Sequence, residues 1–159
     1  MQPTAPTSLE SFLDKVRVRV ERAGVFASVR LRDGLLECEA KDAAAPAFYR
    51  LYADGPRLWV GLFTKDRWLS QSIEQDLVHT GDKLEDLIEE ELVDLGYEGG
   101  PMPCEHFRDH DLFFTFRSPL PFDIDHVADD RSAETAAICI LAYEAAFRPL
   151  GDMEGADED

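Results

Sequence analysis

Apolar positions along the chain follow first a helical spacing, then a two-residue alternation, then a helical spacing again. Leu9, Phe12, Leu13, Val16 and Val20 share one stripe of a helix. Thr7 and Glu10 are spaced as a capping box at its start, and Gly24 is placed to end it. Val25, Ala27, Val29 and Leu31 then alternate with Phe26, Ser28, Arg30 and Arg32, the pattern of a half-buried strand. Asp33-Gly34 is a two-residue hairpin turn, and Leu35 to Ala40 is the return strand. After the alanine-rich loop Lys41 to Pro46, Phe48 to Ala53 and Arg57 to Thr64 read as strands around Asp54-Gly55-Pro56. The second of these has Leu58, Val60 and Leu62 on one face and Trp59 and Phe63 on the other. Such a strand is central or carries a partner on its second face.

Arg67 to Val78 sets Leu69, Ile73 and Leu77 against Ser70, Ser72, Glu74 and Asp76, and is expected as a fifth strand, with the start of a helix as the alternative. Gly81 and Asp82 open the second expected helix, with Asp82 and Glu85 as its capping box. Leu84, Leu87, Ile88, Leu92 and Leu95 form its core stripe. Cys104 to Arg108 and Leu112 to Ser118 form a hairpin around Asp109-His110-Asp111, which Pro119 and Pro121 stop. Ser132 caps a third helix through Phe147. The class is therefore α+β: an antiparallel sheet flanked by about three helices, in the order α-β(3-5)-α-β-β-α. Residues 8–150 form one domain, with a disordered lead-in at 1–7 and a disordered acidic tail at 151–159.

Charge narrows the partners. The chain of 159 residues carries 33 Asp and Glu against 16 Lys and Arg, a net charge of -17. Nucleic acid and anionic lipid both call for a basic surface, so neither is an expected partner. The N-terminus has no basic start and no apolar run, unlike a signal peptide. The three cysteines, Cys38, Cys104 and Cys139, are odd in number and widely spaced, which is no disulfide framework. The expected compartment is the cytoplasm.

Three clusters carry possible chemistry. Cys104, His106 and His110 are zinc-type ligands, with no obvious fourth ligand unless Asp109 or Asp111 supplies it. The plainer reading is a polar hairpin tip. Asp123, Asp125, Asp129 and Glu134 overlap the spacing of a calcium loop, but Ala128 stands where that loop needs glycine. Ser70, Ser72 and His79 could suggest a hydrolase, yet no Gly-x-Ser-x-Gly elbow is present. No cofactor is expected.

The aromatic residues point elsewhere. Trp59 and Phe63 lie on the second face of their strand, and Trp68 falls on the neighbouring candidate strand. Large apolar groups on a free sheet face mark an interface, and Trp is enriched where partners bind. A covering helix would instead make the same residues core.

The stretch Asp111-Leu112-Phe113-Phe114-Thr115-Phe116-Arg117-Ser118-Pro119-Leu120-Pro121, followed by a helix ending Ala142-Tyr143-Glu144-Ala145-Ala146-Phe147-Arg148-Pro149-Leu150, is a hydrophobic strand with a proline exit leading into a final amphipathic helix. In this, in element order, in size and in acidity, the chain resembles the type III secretion chaperone-like fold, which includes the YbjN-like family. It departs in having up to five candidate strands before the second helix, where that fold has three. The resemblance implies a non-catalytic, homodimeric module that holds an extended segment of another protein, and it carries over no functional residue. The expected function is thus protein binding, chaperone- or adaptor-like, through Trp59, Phe63 and Trp68. The alternative is a small metal-binding or hydrolytic protein using Cys104, His106 and His110.

Overall fold

The computed structural model describes residues 4–32, 34–41, 45–97, 99–100, 102–108, 113–127 and 130–150. The expected tail at 151–159, His110 and its aspartate neighbours, and Ala128 and Asp129 lie outside the described residues. The element order is α1 (Thr4–Ala23), β1 (Phe26–Arg32), β2 (Leu35–Ala40), β3 (Phe48–Asp54), β4 (Arg57–Thr64), α2 (Arg67–Thr80), α3 (Leu84–Asp94), β5 (Glu105–Arg108), β6 (Phe114–Asp123), a 3-10 turn (Ile124–His126) and α4 (Asp130–Phe147). The six strands form one antiparallel sheet in the order β1-β2-β3-β4-β6-β5. The class is α+β, as the patterning requires.

The helices share one side of this sheet. Phe12, Leu13, Val16 and Val20 of α1, Leu69 and Ile73 of α2, Leu84, Ile88 and Leu92 of α3, and Ile140, Tyr143 and Phe147 of α4 join a single core. From the sheet that core takes Leu36, Cys38, Tyr49, Leu51, Leu58, Val60, Leu62, Phe116 and Leu120. The register explains the choice, because Cys38, Tyr49 and Leu62 pair in sequence across β2, β3 and β4 and therefore project to one face. In β1 a register shift between Phe26 and Ser28 interrupts the alternation. It turns Phe26 into the core beside Tyr49, 5.5 Å between ring centroids, while Val29 packs on the same side.

Several expectations are corrected. Arg67–Thr80 is a helix, not a fifth strand. Asp66 accepts the Leu69 N–H as its N-cap, and Gly81 closes it at φ 77°, bonding the Leu77 carbonyl. Gly81 thus ends α2 rather than opening the next helix. That next helix starts at Leu84 after Lys83, whose side chain makes no cap bond, so the Asp82–Glu85 capping box does not form. There are accordingly four α-helices among the described residues. Helix α1 begins at Thr4, inside the stretch expected to be a disordered lead-in, because Pro6 falls in its first turn where no intrahelical N–H bond is lost. Thr7 is then no cap. Helix α4 begins at Asp130, two residues before the expected cap Ser132, with the acid at the positive end of the helix.

Strand β6 runs through Pro119 and Pro121 to Asp123 instead of stopping. Beyond Arg117 no described residue of β5 pairs with β6, so that flank is an edge and a proline there breaks no ladder bond on that side.

Candidate functional site

The sheet face opposite the helices lies outside the core. Trp59 and Phe63 are 9% and 5% exposed yet lie outside the core cluster, because they point away from every helix. Strand β4 contributes Trp59, Gly61 and Phe63 to this face. Tyr52, Arg50 and Phe48 of β3 stand opposite them, and Pro119, Arg117 and Thr115 of β6 stand opposite on the other flank. An arginine–glycine–arginine row is therefore bordered by two rows rich in rings.

The arginines cover the rings in place of a helix. The Arg117 guanidinium lies 3.7 Å from the Trp59 ring centroid and 5.1 Å from that of Phe107. The Arg50 guanidinium lies 4.8 Å from Phe63 and 4.7 Å from Phe113. Such stacking is worth about 0.5–2 kcal/mol per pair, more when water is excluded. Carboxylates fix the guanidiniums in turn. Arg50 donates to Glu37 at 2.9 Å. Arg117 donates to Glu105 at 3.0 Å and to the Tyr52 hydroxyl at 3.1 Å. Gly61 is required beneath them, since a Cβ there would sit 2.8 Å from the Phe116 carbonyl oxygen and 3.1 Å from the Phe63 ring.

Of the three aromatic residues singled out in the sequence, Trp59 and Phe63 come together on this face. Trp68 does not join them. It sits in the first turn of α2, 73% exposed, on the outward side of a helix whose Leu69, Ser70 and Ile73 are buried. Phe107 of β5, 37% exposed, belongs to the open face instead. Its two-residue offset from Glu105 was the available signal. Arg50 and Arg117 were missed, because charged residues on a strand read as solvated positions.

Of the Cys104, His106 and His110 grouping, Cys104 and His106 each engage other partners, and His110 lies outside the described residues. The Cys104 thiol turns inward to the Tyr143 hydroxyl, 3.6 Å away, and that hydroxyl lies 2.6 Å from Ser118 Oγ. Burial pushes the thiol up to about 11, which keeps it protonated and a poor metal ligand at neutral pH. His106 stacks on Phe116, 3.8 Å between centroids, and its ring nitrogens meet side chains of α2. Nδ1 is 3.0 Å from Glu74 Oε2 and Nε2 is 3.4 Å from Ser70 Oγ. Burial lowers the pKa of His106 against the opposing pull of Glu74. This clasp ties edge strand β5 to α2. Ser70 and Glu74 are one helical turn apart, which is why both reach the same ring.

Asp123 ends β6, Asp125 lies in the 3-10 turn, and Glu134 lies in α4. Among the described residues no three His, Cys, Asp or Glu side chains converge as a metal site needs. No helix among them is long and apolar enough to cross a membrane. No family model, no curated protein sequence and no solved structure matches this chain, so the resemblance to the chaperone-like fold rests on the stretch quoted above, element order, size and acidity.

Proposed function

We propose that this chain is a protein-binding module, chaperone- or adaptor-like, that holds a segment of a partner protein on the open face of its sheet. One observation carries the reading: among the described residues one sheet face has no helical cover and presents rings and arginines held by ion pairs. Rings and arginines are the side chains most enriched at binding hot spots. Pre-fixed rotamers reduce the entropy lost on association. Phe107, Tyr52, Phe48 and Phe113 supply accessible apolar surface, with Trp59 and Phe63 as their floor. Trp68 offers a second, separate contact on α2. The resemblance to the chaperone-like fold implies a homodimer as part of this reading, which light scattering of the purified chain tests.

Co-purification followed by an affinity measurement on the purified partner tests the surface. Phe107→Ser should weaken the complex by about tenfold or more, the loss of one hot-spot ring. Val78→Ser, at an 81% exposed position on α2, should leave it unchanged. If Trp68→Ser releases the partner while Phe107→Ser retains it, the binding surface is α2 and the sheet-face reading is wrong.

A further inference from the structure

The outer side of β1 is an open sheet edge. No described residue pairs with it, and Ala27, Arg30, Leu31 and Arg32 are exposed along it. An unpaired edge is a template for another strand. The opposite edge is blunted, because β5 has four residues and Pro119 and Pro121 occupy the flank of β6 beyond it. In β1 the register shift lies between Phe26 and Ser28, so Ser28 to Arg32 stay regular against β2.

Charge marks this edge. Phe26–Arg32 holds two arginines and no acid, in a chain of net charge -17. Arg30 starts a row on the open face that continues through Glu37, Arg50, Gly61 and Arg117 to Glu105. Glu37 is already engaged by Arg50 at 2.8 Å and by Arg32 at 3.4 Å. The Arg30 side chain makes no ion pair among the described residues. In the next row Glu39 has no cation among them either. Its carboxylate leans toward the edge, with Oε1 3.4 Å from Ser28 Oγ.

We infer that a second copy of this chain pairs here, β1 against β1, antiparallel, with Val29 opposite Val29. It rests on the homodimer in the reading above and gives that dimer an interface. A two-fold axis normal to the sheet then sets Arg30 of each copy opposite Ser28 of the other. Ser28 is small, so the guanidinium reaches over it toward Glu39, two strand spacings or about 9.5 Å away along the backbone. The symmetry makes this contact twice. Neighbouring registers lose it. One puts Arg30 opposite Arg30, a like-charge pair that destabilises. The other puts Ser28 opposite Ser28 and brings two Glu39 carboxylates together with no cation. On the helix side the chosen register lays Leu31, 39% exposed, over Ala27. An acidic strand from another protein would answer Arg30 and repel Glu39, and a basic strand would do the reverse. A second β1 satisfies both. The net charge of -17 on each copy repels at long range, but at physiological salt charges more than about 8 Å apart are largely screened. The two six-stranded sheets become one, with both open faces on the same side.

Sedimentation velocity of the full chain, over a concentration series at physiological salt, measures the pairing. Wild type should dimerise. Arg30→Glu and Glu39→Arg should each raise the dimer's Kd about tenfold or more, because each sets like charges against one another across the axis. Lys83→Glu at the start of α3 makes the same charge change as Arg30→Glu and should leave the Kd unchanged. Arg30→Glu combined with Glu39→Arg exchanges the two charges and should recover most of the lost affinity, which a role confined to folding of one chain would not produce. If Arg30→Glu fails to melt cooperatively, Arg30→Gln replaces it and should weaken the dimer severalfold. A monomer at every concentration would show that the arginines only keep the edge from pairing, and overturns the inference. So does a dimer that both single variants leave as tight as wild type, or one that the exchange does not restore. Capture of a partner protein lost on Phe107→Ser but kept by these variants would leave the sheet-face reading intact in each of those cases.

Discussion

Tyr143 offers a perturbation whose size follows from the structure. Its ring is fully buried on α4 beside the Phe147 ring, and its hydroxyl joins α4 to β6 through Ser118 Oγ at 2.6 Å. Ser118 is itself 0% exposed, so no water can replace the phenol. Tyr143→Phe removes one oxygen and leaves the buried Ser118 hydroxyl only the Cys104 thiol, a weak partner. A buried polar group stripped of its partner costs about 1–3 kcal/mol. In a chain of this length that is a fall in Tm of about 2–12 °C. Ser118→Ala should cost less, because the phenol can still bond the Cys104 thiol. The double variant is the decisive one. With both hydroxyls gone no orphan remains, and its cost should fall below the sum of the single costs by about 0.5–3 kcal/mol, the coupling expected of residues in contact. Urea unfolding of the four proteins, at constant slope, measures all three differences. Strictly additive costs, or a Tyr143→Phe variant as stable as wild type, would refute the idea that this buried hydroxyl pair braces α4 against β6.

Three further outcomes are expected. Gly61→Ala should destabilise the chain by about 1–3 kcal/mol, the cost of overpacking, because the new Cβ meets backbone at 2.8 Å, and thermal melting reads it directly. Burial lowers the pKa of His106 in the folded chain. The unfolded chain therefore binds the proton more readily, so the contribution of His106 is fully present above about pH 6.5 and is lost as pH falls through the lower folded value. His106→Gln should flatten the stability-versus-pH difference in that window, and an unchanged curve would contradict it. Burial raises the thiols of Cys38, Cys104 and Cys139, the last two to about 11 and about 12. At mildly alkaline pH all three should react slowly with an aromatic disulfide reagent in the native chain and at once in denaturant. A fast native phase would show an exposed thiolate.

Much of the architecture is encoded locally. Helix α1, the return strand β2, the limits of β4 and the stripe of α3 follow from periodicity and from turn residues a few positions apart. The error at α2 has a definite cause. Leu69, Ile73 and Leu77 are four apart, a spacing that puts them on one face of a strand and on one face of a helix alike. The local evidence that decides it is Asp66, three residues before Leu69, and Gly81 at the end, a cap at each terminus. The prolines of β6 misled for the opposite reason. Whether a proline breaks a ladder depends on whether a strand lies beside it, and only the sheet order shows that.

The sequence by itself determined the class, the acidity, the strands joined by tight turns, and the fact that β4 is apolar on both faces. Those properties depend on neighbours within a turn or two of chain. Which face of β4 would be covered, and by what, was decided by the tertiary structure. All four helices settle on the Leu58, Val60 and Leu62 side, and the Trp59 and Phe63 side is left to arginines. The row Arg30, Glu37, Arg50, Gly61, Arg117 and Glu105 is spread across the chain from residue 30 to residue 117. No periodicity links these positions. Strand register alone brings them into line, because pairing fixes which side chains face one another only after the sheet has formed.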